Sequence, residues 1–377
     1  MAIGEPQTLP DCLRQQARQR PHAPALRHKR LGRWQVLTWQ QVVEQTEQLA
    51  AGLTQLGFAP GDTLALVSHP RTEALLLSLA AQWAGGVAVP LDPHLGDAAL
   101  DDIVRHLAPR FAFAEDDRQL DRLLTRVPRV IDANPRGLPG HPHAWVTDYG
   151  ALHAPSPAGF SPAAQPHGEA FTFLRAEAPG ELAEQRFTHA ALVREARHVA
   201  ATERLHAGDE AFAARAFAAA AQARYLIAPW LLAGFRLNFP ESLATRDNDR
   251  RELAPTLVAG TRETYARLAQ LVDDRLPGPH TWRRKLLASS QSRRSGPLTR
   301  AIAWWLVARP LREVIGFSRT HAALVTGPAL NDSTAALFAA LRVDVHAWPE
   351  TGAWQRVASR ADALPLRNHP QAAQPAY

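Results

Sequence analysis

The sequence predicts an α/β fold of layered subdomains with largely parallel sheets. Three observations carry that expectation. Short, nearly all-apolar runs recur along the first 120 residues, as strands do when helices cover both faces of their sheet. Between them lie stretches with apolar residues at helical spacing. The alternation strand, helix, strand requires right-handed crossovers and so a mostly parallel sheet.

Each element follows from local signals. From Leu37 to Gly57 the spacing predicts an amphipathic helix, with Thr38 as N-cap and Val42, Val43, Leu49, Leu53 and Leu56 on one face. Gly57 ends it, and Gly61-Asp62 makes a turn. Thr63 to Val67 is an apolar strand, Glu73 to Trp83 a second helix closed by Gly85-Gly86, and Val87 to Leu91 the next strand. A helix from Ala98 to Leu107 and a strand from Phe111 to Ala114 complete the first subdomain, residues 1–150.

Residues 151–168 have the Pro/Ala-rich composition of a linker. A second α/β subdomain is expected over 169–365. Its clearest pieces are a helix from His189 to Arg204, a strand from Ala322 to Val325, a helix from Ser333 to Leu341 and a strand from Val343 to His346. Residues 366–377 read as a flexible tail.

Composition limits the function classes. The chain has 377 residues, 46% hydrophobic and 21% charged, which suits a globular protein with a core. Its net charge of +6 is carried almost wholly by arginine, scattered without interleaved aromatics. That pattern argues against nucleic-acid binding. The single cysteine, Cys12, excludes an intrachain disulfide. The N-terminus lacks a signal-peptide layout and no apolar run reaches 18 residues, so a soluble cytoplasmic protein is expected.

Several motifs resemble the adenylate-forming (AMP-binding) superfamily, which includes acyl-CoA synthetases and peptide-synthetase adenylation domains. They are Thr38-Trp39-Gln40-Gln41, Pro60-Gly61-Asp62, and Ala84-Gly85-Gly86 running on to Leu91. Pro255-Thr256-Leu257-Val258, with Arg262 and Tyr265 behind it, is similar to a strand and helix of long-chain fatty acyl-CoA synthetases. Thr326-Gly327-Pro328-Ala329-Leu330 resembles the family's adenine-facing loop. The resemblance covers roughly residues 8 to 352 and implies the large N-terminal domain of an AMP-forming ligase, using ATP and Mg²⁺ on an acyl substrate.

The residues that grip ATP in that family are largely replaced. Its phosphate loop is built of Ser, Thr and Gly followed by Pro-Lys-Gly, so that backbone N–H groups, hydroxyls and a lysine meet the phosphates. Thr188 aligns with the start of the helix after that loop, which places the loop at Ala176 to Glu184. Only Gly180 keeps the family's type, Ala183 stands in place of the lysine, and Glu177 and Glu184 bring negative charge. One like-charge contact at about 4 Å costs about 1–4 kcal/mol. Arg175 or Arg186 is the available compensation.

The family's second motif, Tyr-Gly-x-Thr-Glu, falls on His346 to Gly352 in either of two registers. In one, Trp348 is the aromatic platform and Thr351 the phosphate-contacting hydroxyl; in the other, Glu350 is the Mg²⁺-binding carboxylate. The resemblance thus assigns nucleotide contacts to Gly180, Thr188, Gly327, Pro328 and Trp348, and catalytic or metal roles to Glu350 and Thr351 if activity persists. The family's lysine-bearing C-terminal domain is not expected within these residues. The reading that results is a pseudoenzyme that binds an acyl chain, an acyl-adenylate, a nucleotide or a partner chain. The alternative is a long-chain fatty acid–CoA ligase completed by a C-terminal domain in trans.

Other signals have plainer readings. His141-Pro142-His143 is a turn with two solvated histidines, and no cluster of further ligands accompanies it. Asp101-Asp102 looks like a helix start and Asp116-Asp117 a turn. Trp282 to Leu287 and Ala301 to Val307 combine aromatic and apolar residues with nearby basic ones, as interfacial helices do, so peripheral membrane contact is the most that is expected.

Overall fold

The computed structural model describes residues 5–133, 145–157, 159–214, 218–275, 281–282, 296–350, 352 and 354–358. The expected α/β layering is present. In chain order the strands of the first half are β1 (Pro24–Arg30), β2 (Arg33–Thr38), β3 (Thr63–Val67), β4 (Val87–Leu91), β5 (Phe111–Ala114), β6 (Arg129–Asp132) and β7 (Val146–Asp148). The second half adds β8 (Glu169–Ala178), β9 (Glu181–Thr188), β10 (Glu210–Phe212), β11 (Arg236–Phe239), β12 (Leu257–Thr261), β13 (Ala322–Thr326), β14 (Val345–Trp348) and β15 (Gln355–Ala358).

Among the described residues these strands form two sheets. The first has the order β14-β13-β12-β10-β11-β1-β2 and is parallel except for β2. The second has the order β15-β9-β8-β4-β3-β5-β6-β7, parallel from β8 to β7 and antiparallel at β8, β9 and β15. Each sheet takes strands from both sides of residues 151–168.

Helices fill the space between the sheets and cover both outer faces. The middle layer holds α1 (Leu9–Gln19), α2 (Trp39–Gln55), α3 (Thr72–Trp83), α6 (His189–Thr202) and a helical rod made of α7 (Ala220–Gln222), a π turn (Ala223–Ile227) and α8 (Ala228–Ala233). Outside the second sheet lie α4 (Asp97–Leu107) and α5 (Asp117–Leu124). Outside the first lie α10 (Arg262–Asp273), α12 (Arg309–Val314) and α13 (Asp332–Ala340), with α9 (Arg246–Leu253) and α11 (Pro297–Ala303) alongside. The middle layer's core is one cluster. Trp39 stacks on Trp230 at 4.9 Å, both fully buried, and the Trp230 Nε1–H donates to the Ala25 carbonyl at 3.1 Å.

Local chemistry explains the element ends. Thr38 caps α2 by a reciprocal capping box: its hydroxyl accepts from the Gln41 N–H at 3.3 Å and the Gln41 side chain accepts from the Thr38 N–H at 2.9 Å. The last expected strand begins two residues late, at Val345. Arg342 adopts a left-handed φ of 55°, its N–H reaches Ala339 O at 3.0 Å, and the Val343 N–H reaches Phe338 O at 2.9 Å. That Schellman closure of α13 consumes Val343.

Neither aspartate pair has the role expected of it. Asp101-Asp102 lies within α4, where buried Asp102 pairs with Arg105 at 3.1 Å. Asp116 is an N-cap instead, accepting from the Gln119 N–H at 2.9 Å to start α5. Cys12 is buried on α1, and burial pushes its thiol up to about 12. No helix among the described residues is long and apolar enough to cross a membrane. His141 and His143 fall outside the described residues.

Two measurements test this packing. A helix-interior Gly→Ala change ordinarily stabilises by about 1 kcal/mol. At Gly52 in α2, however, an added Cβ would stand 1.8 Å from the Leu152 carbonyl oxygen. Gly52→Ala is therefore expected to destabilise by about 1–3 kcal/mol in chemical denaturation. His189 is buried, its Nδ1 accepts from the Leu9 N–H at 3.3 Å, and burial pushes its pKa down to about 4. The unfolded chain then binds the extra proton between about pH 6.5 and 4. Stability is full above that window and falls by about 3 kcal/mol as pH drops through it. His189→Gln should flatten that part of the profile.

Candidate functional site

The candidate nucleotide contacts lie on the β8–β9 hairpin of one sheet and at the ends of β13 and β14 in the other. The first finding is that the stretch from Ala176 to Glu184 is not a loop. β8 and β9 pair almost to their tips, with Ala178 opposite Glu181, so only Pro179 and Gly180 make the turn. Proline presets the first turn position, and Gly180 follows it with a φ of 75°, a left-handed value that favours glycine. The turn then leans on α4. The Gly180 N–H donates to Asp102 Oδ2 at 2.9 Å, so the one retained glycine spends its donor within the protein.

The carboxylates of the hairpin are neutralised locally. Glu177 accepts from Arg175 at 2.8 Å and pairs with Arg356 on β15 at 3.3 Å. The Arg175 hydrogen bond, with Arg356 behind it, holds the Glu177 carboxyl below its ordinary range. Buried Glu184 is chelated by Arg186 at 2.8 and 3.1 Å and approached by His106 Nε2 at 3.4 Å. Arg186 also reaches Glu169 at 3.1 Å, and Arg175 lies over Trp354 at 4.7 Å. Arg175 and Arg186 thus pair with the hairpin's own carboxylates, and Arg175 also lies over Trp354.

Thr188 has a structural job. It is the N-cap of α6, its hydroxyl accepting from the Ala191 N–H at 3.3 Å. Trp348 is likewise no open platform. It is 9% exposed, packs against Tyr225 at 5.5 Å and His198 at 5.4 Å, and donates its Nε1–H to Glu203 Oε1 at 2.8 Å. The same buried carboxylate binds His346 Nδ1 at 2.9 Å, and that hydrogen bond raises the His346 pKa.

Beyond Trp348 the chain is strapped down. Tyr225 donates its hydroxyl to the Pro349 carbonyl at 2.6 Å, and Gln185 Nε2 donates to the Gly352 carbonyl at 2.9 Å. The strap brings two candidate residues together: an added Cβ on Gly327 would stand 3.9 Å from Glu350 Oε1. Gly327, with a φ of 81°, closes β13 and donates to the Trp348 carbonyl at 3.3 Å. Pro328 and Glu350 are exposed. Thr351 lies outside the described residues. Among those described, no group of three or more His, Cys, Asp or Glu is placed to hold a metal ion.

These residues do not fit a triphosphate. The hairpin offers no ring of free backbone N–H groups, no lysine and no cradle, and its side chains satisfy one another. The residues that organise the region, Glu203, Tyr225, His198 and Gln185, escaped the motif comparison. The one sequence signal that could find Glu203 is its place at the C-terminal end of a helix, where an acidic residue opposes the helix dipole and needs a specific partner.

The Glu203 contacts are testable. Glu203→Ala leaves the buried Trp348 N–H without an acceptor and should cost about 1–3 kcal/mol of stability. Glu203→Gln keeps a neutral acceptor and should cost less. In both variants the His346 titration, followed by NMR, should move down toward the ordinary histidine value.

The family model described as AMP-binding enzyme matches residues 13–152. The naringenin synthase of Pestalotiopsis fici is 37% identical over 84 residues, 22% of this chain and 3% of that protein. The 2-succinylbenzoate–CoA ligase of Salmonella typhimurium is 33% identical over 93 residues, 25% of this chain and 20% of that protein. The matched stretches are therefore small parts of both relatives. The A-PCP didomain of carboxylic acid reductase from Segniliparus rugosus, solved with AMP, superposes with a TM-score of 0.69 at 15% identity, covering 91% of this chain and 52% of that one. In sequence over residues 13–152, and in fold across the described chain, this protein resembles the large N-terminal domain of the adenylate-forming, AMP-binding enzymes.

Proposed function

We propose that this chain uses the adenylate-forming fold for binding and does not itself form an acyl adenylate. The observation that carries the reading is the closed β8–β9 hairpin. Its two-residue turn leaves no loop to wrap a triphosphate, and the Gly180 N–H is already given to Asp102. The buried, hydrogen-bonded Trp348 supports the same reading, because a ring held by Glu203 is not free to receive a purine. The retained capacity is then for an acyl or nucleotide-derived ligand, or for a partner.

An exposed apolar stripe fits a peripheral contact. Leu298, Ile302, Trp305 and Leu306 stand exposed on α11 and the π turn that follows it, and Arg309 lies over Trp305 at 4.5 Å. Aromatic and basic groups side by side suit a membrane interface.

A second reading keeps ligase activity, with the lysine-bearing C-terminal domain supplied in trans. Exposed Glu350 beside Gly327, at the carboxyl ends of β13 and β14, favours it. Calorimetry separates the two. Titration of ATP with Mg²⁺, AMP and a long-chain acyl-adenylate analogue should give no ATP binding at millimolar concentration. Micromolar ATP binding that Glu350→Ala weakens at least tenfold would establish the second reading and overturn the first.

A further inference from the structure

A polar cleft lies away from the hairpin. It has a volume of about 790 Å³ and sits between the carboxyl end of β1 and β11 in one sheet and those of β3, β5, β6 and β7 in the other. In the strand order of both sheets this is the opposite side from β13, β14, β8 and β9. Crevices at the carboxyl ends of parallel strands are where open α/β sheets take ligands.

The cleft wall is unbalanced toward hydrogen-bond acceptors. Its positive groups are mostly committed: Lys29 to Asp249 at 2.9 Å, and Arg71 to Glu73 through two bonds of 2.9 and 3.0 Å. Arg30 stands at the exposed rim. Three lining carboxylates meet only backbone donors among the described residues. Asp116 caps α5, Asp148 accepts from the Gly150 and Ala151 N–H groups at 2.6 and 3.2 Å, and Glu241 accepts from the Gly32 N–H at 3.1 Å.

Two buried polar atoms of the lining have no partner in the structure: Thr72 Oγ1 and His28 Nδ1. Thr72 is 6% exposed. Burial lowers the His28 pKa and so disfavours the charged ring. With the ring proton on Nε2, Nδ1 is a bare acceptor. Buried polar atoms without partners are rare enough to require an explanation. Phe239, Pro70, Pro240 and Leu243 supply an apolar face beside them.

We propose that this cleft binds a small organic amine with an apolar or aromatic body. The ammonium group would face the carboxylates, the body would lie on Phe239 and the prolines, and a donor on the ligand would satisfy Thr72 and His28. The cleft size suits such a molecule. This inference is independent of the nucleotide reading, since it uses neither the hairpin nor the Glu350 strap.

Three probes with one body and three heads test it: phenethylamine, 2-phenylethanol and phenylacetate, titrated into the full chain by calorimetry. Phenethylamine should bind saturably, weakening as salt rises. The alcohol should bind about tenfold more weakly, by the loss of one charge-assisted contact, and phenylacetate should not bind. Glu241→Gln, which keeps the acceptor for Gly32, should weaken the amine and leave the alcohol unchanged. Thr72→Val should weaken both. Equal or stronger binding of phenylacetate, no saturable binding of the amine, or full amine affinity in both variants would overturn the proposal. ¹H–¹⁵N NMR of each variant checks that it is folded.

Discussion

The structure depends on a helical layer that neither sheet owns. Trp39, at the start of α2, stacks on Trp230 of α8, and Trp230 bonds the backbone of β1. Around this pair one apolar cluster runs from Leu64 and Phe113 in one sheet to Leu237 and Leu324 in the other. Stacked aromatic rings add only about 0.5–1.5 kcal/mol beyond their area. Their larger effect is geometric, because they fix how far apart the two sheets stand. Every edge, cleft and strap described above is positioned by that spacing.

Within that frame, one edge has been closed by its own side chains. Arg175, Arg186, Arg356 and His106 bind the carboxylates of the β8–β9 hairpin, and Asp102 takes the turn's N–H. Opening the hairpin for a phosphate would expose a buried glutamate and strand two arginines. Breaking a buried pair by removing one partner is strongly destabilising. Where the family it resembles has glycines and a lysine, this chain has a self-satisfied polar network. The far edge differs. There, carboxylates and two unpartnered buried polar atoms line a cleft.

The sequence displayed some of this and hid the rest, for physical reasons. α2, α3, β3, β4 and β5 were legible because their caps, glycine stops and apolar runs are local. The hairpin was misread because its register was taken from a loop in other proteins, and pairing partners are not encoded by spacing alone. β1, with the sequence PALRHKR, has a basic outer half and little alternation, so it carried no strand signal. Its placement is decided by β11. Gly327 and Glu350 lie close together, while Trp348 is held by packing and a bond to Glu203 and Thr188 caps a helix. Spacing names such residues but not the partners that surround them.

The pairing of β1 with β11 has a temporal consequence. Leu26 lies opposite Leu237, so β1 finds its neighbour only after about 210 further residues have been synthesised. Its other neighbour, β2, gives it a two-stranded hairpin in the interval, and an isolated hairpin is marginal in water. At about 5–20 residues per second that interval lasts about 10–40 seconds. Through it the basic strand, α1 and the Trp39 face of α2 have no completed core to join. The β4-β3-β5-β6 part of the second sheet has no such delay, since these strands follow one another closely and pair as they emerge. Assembly is thus expected to begin in the β3–β6 half and to finish with the capture of the N-terminal strand, a late and slow step set by topology.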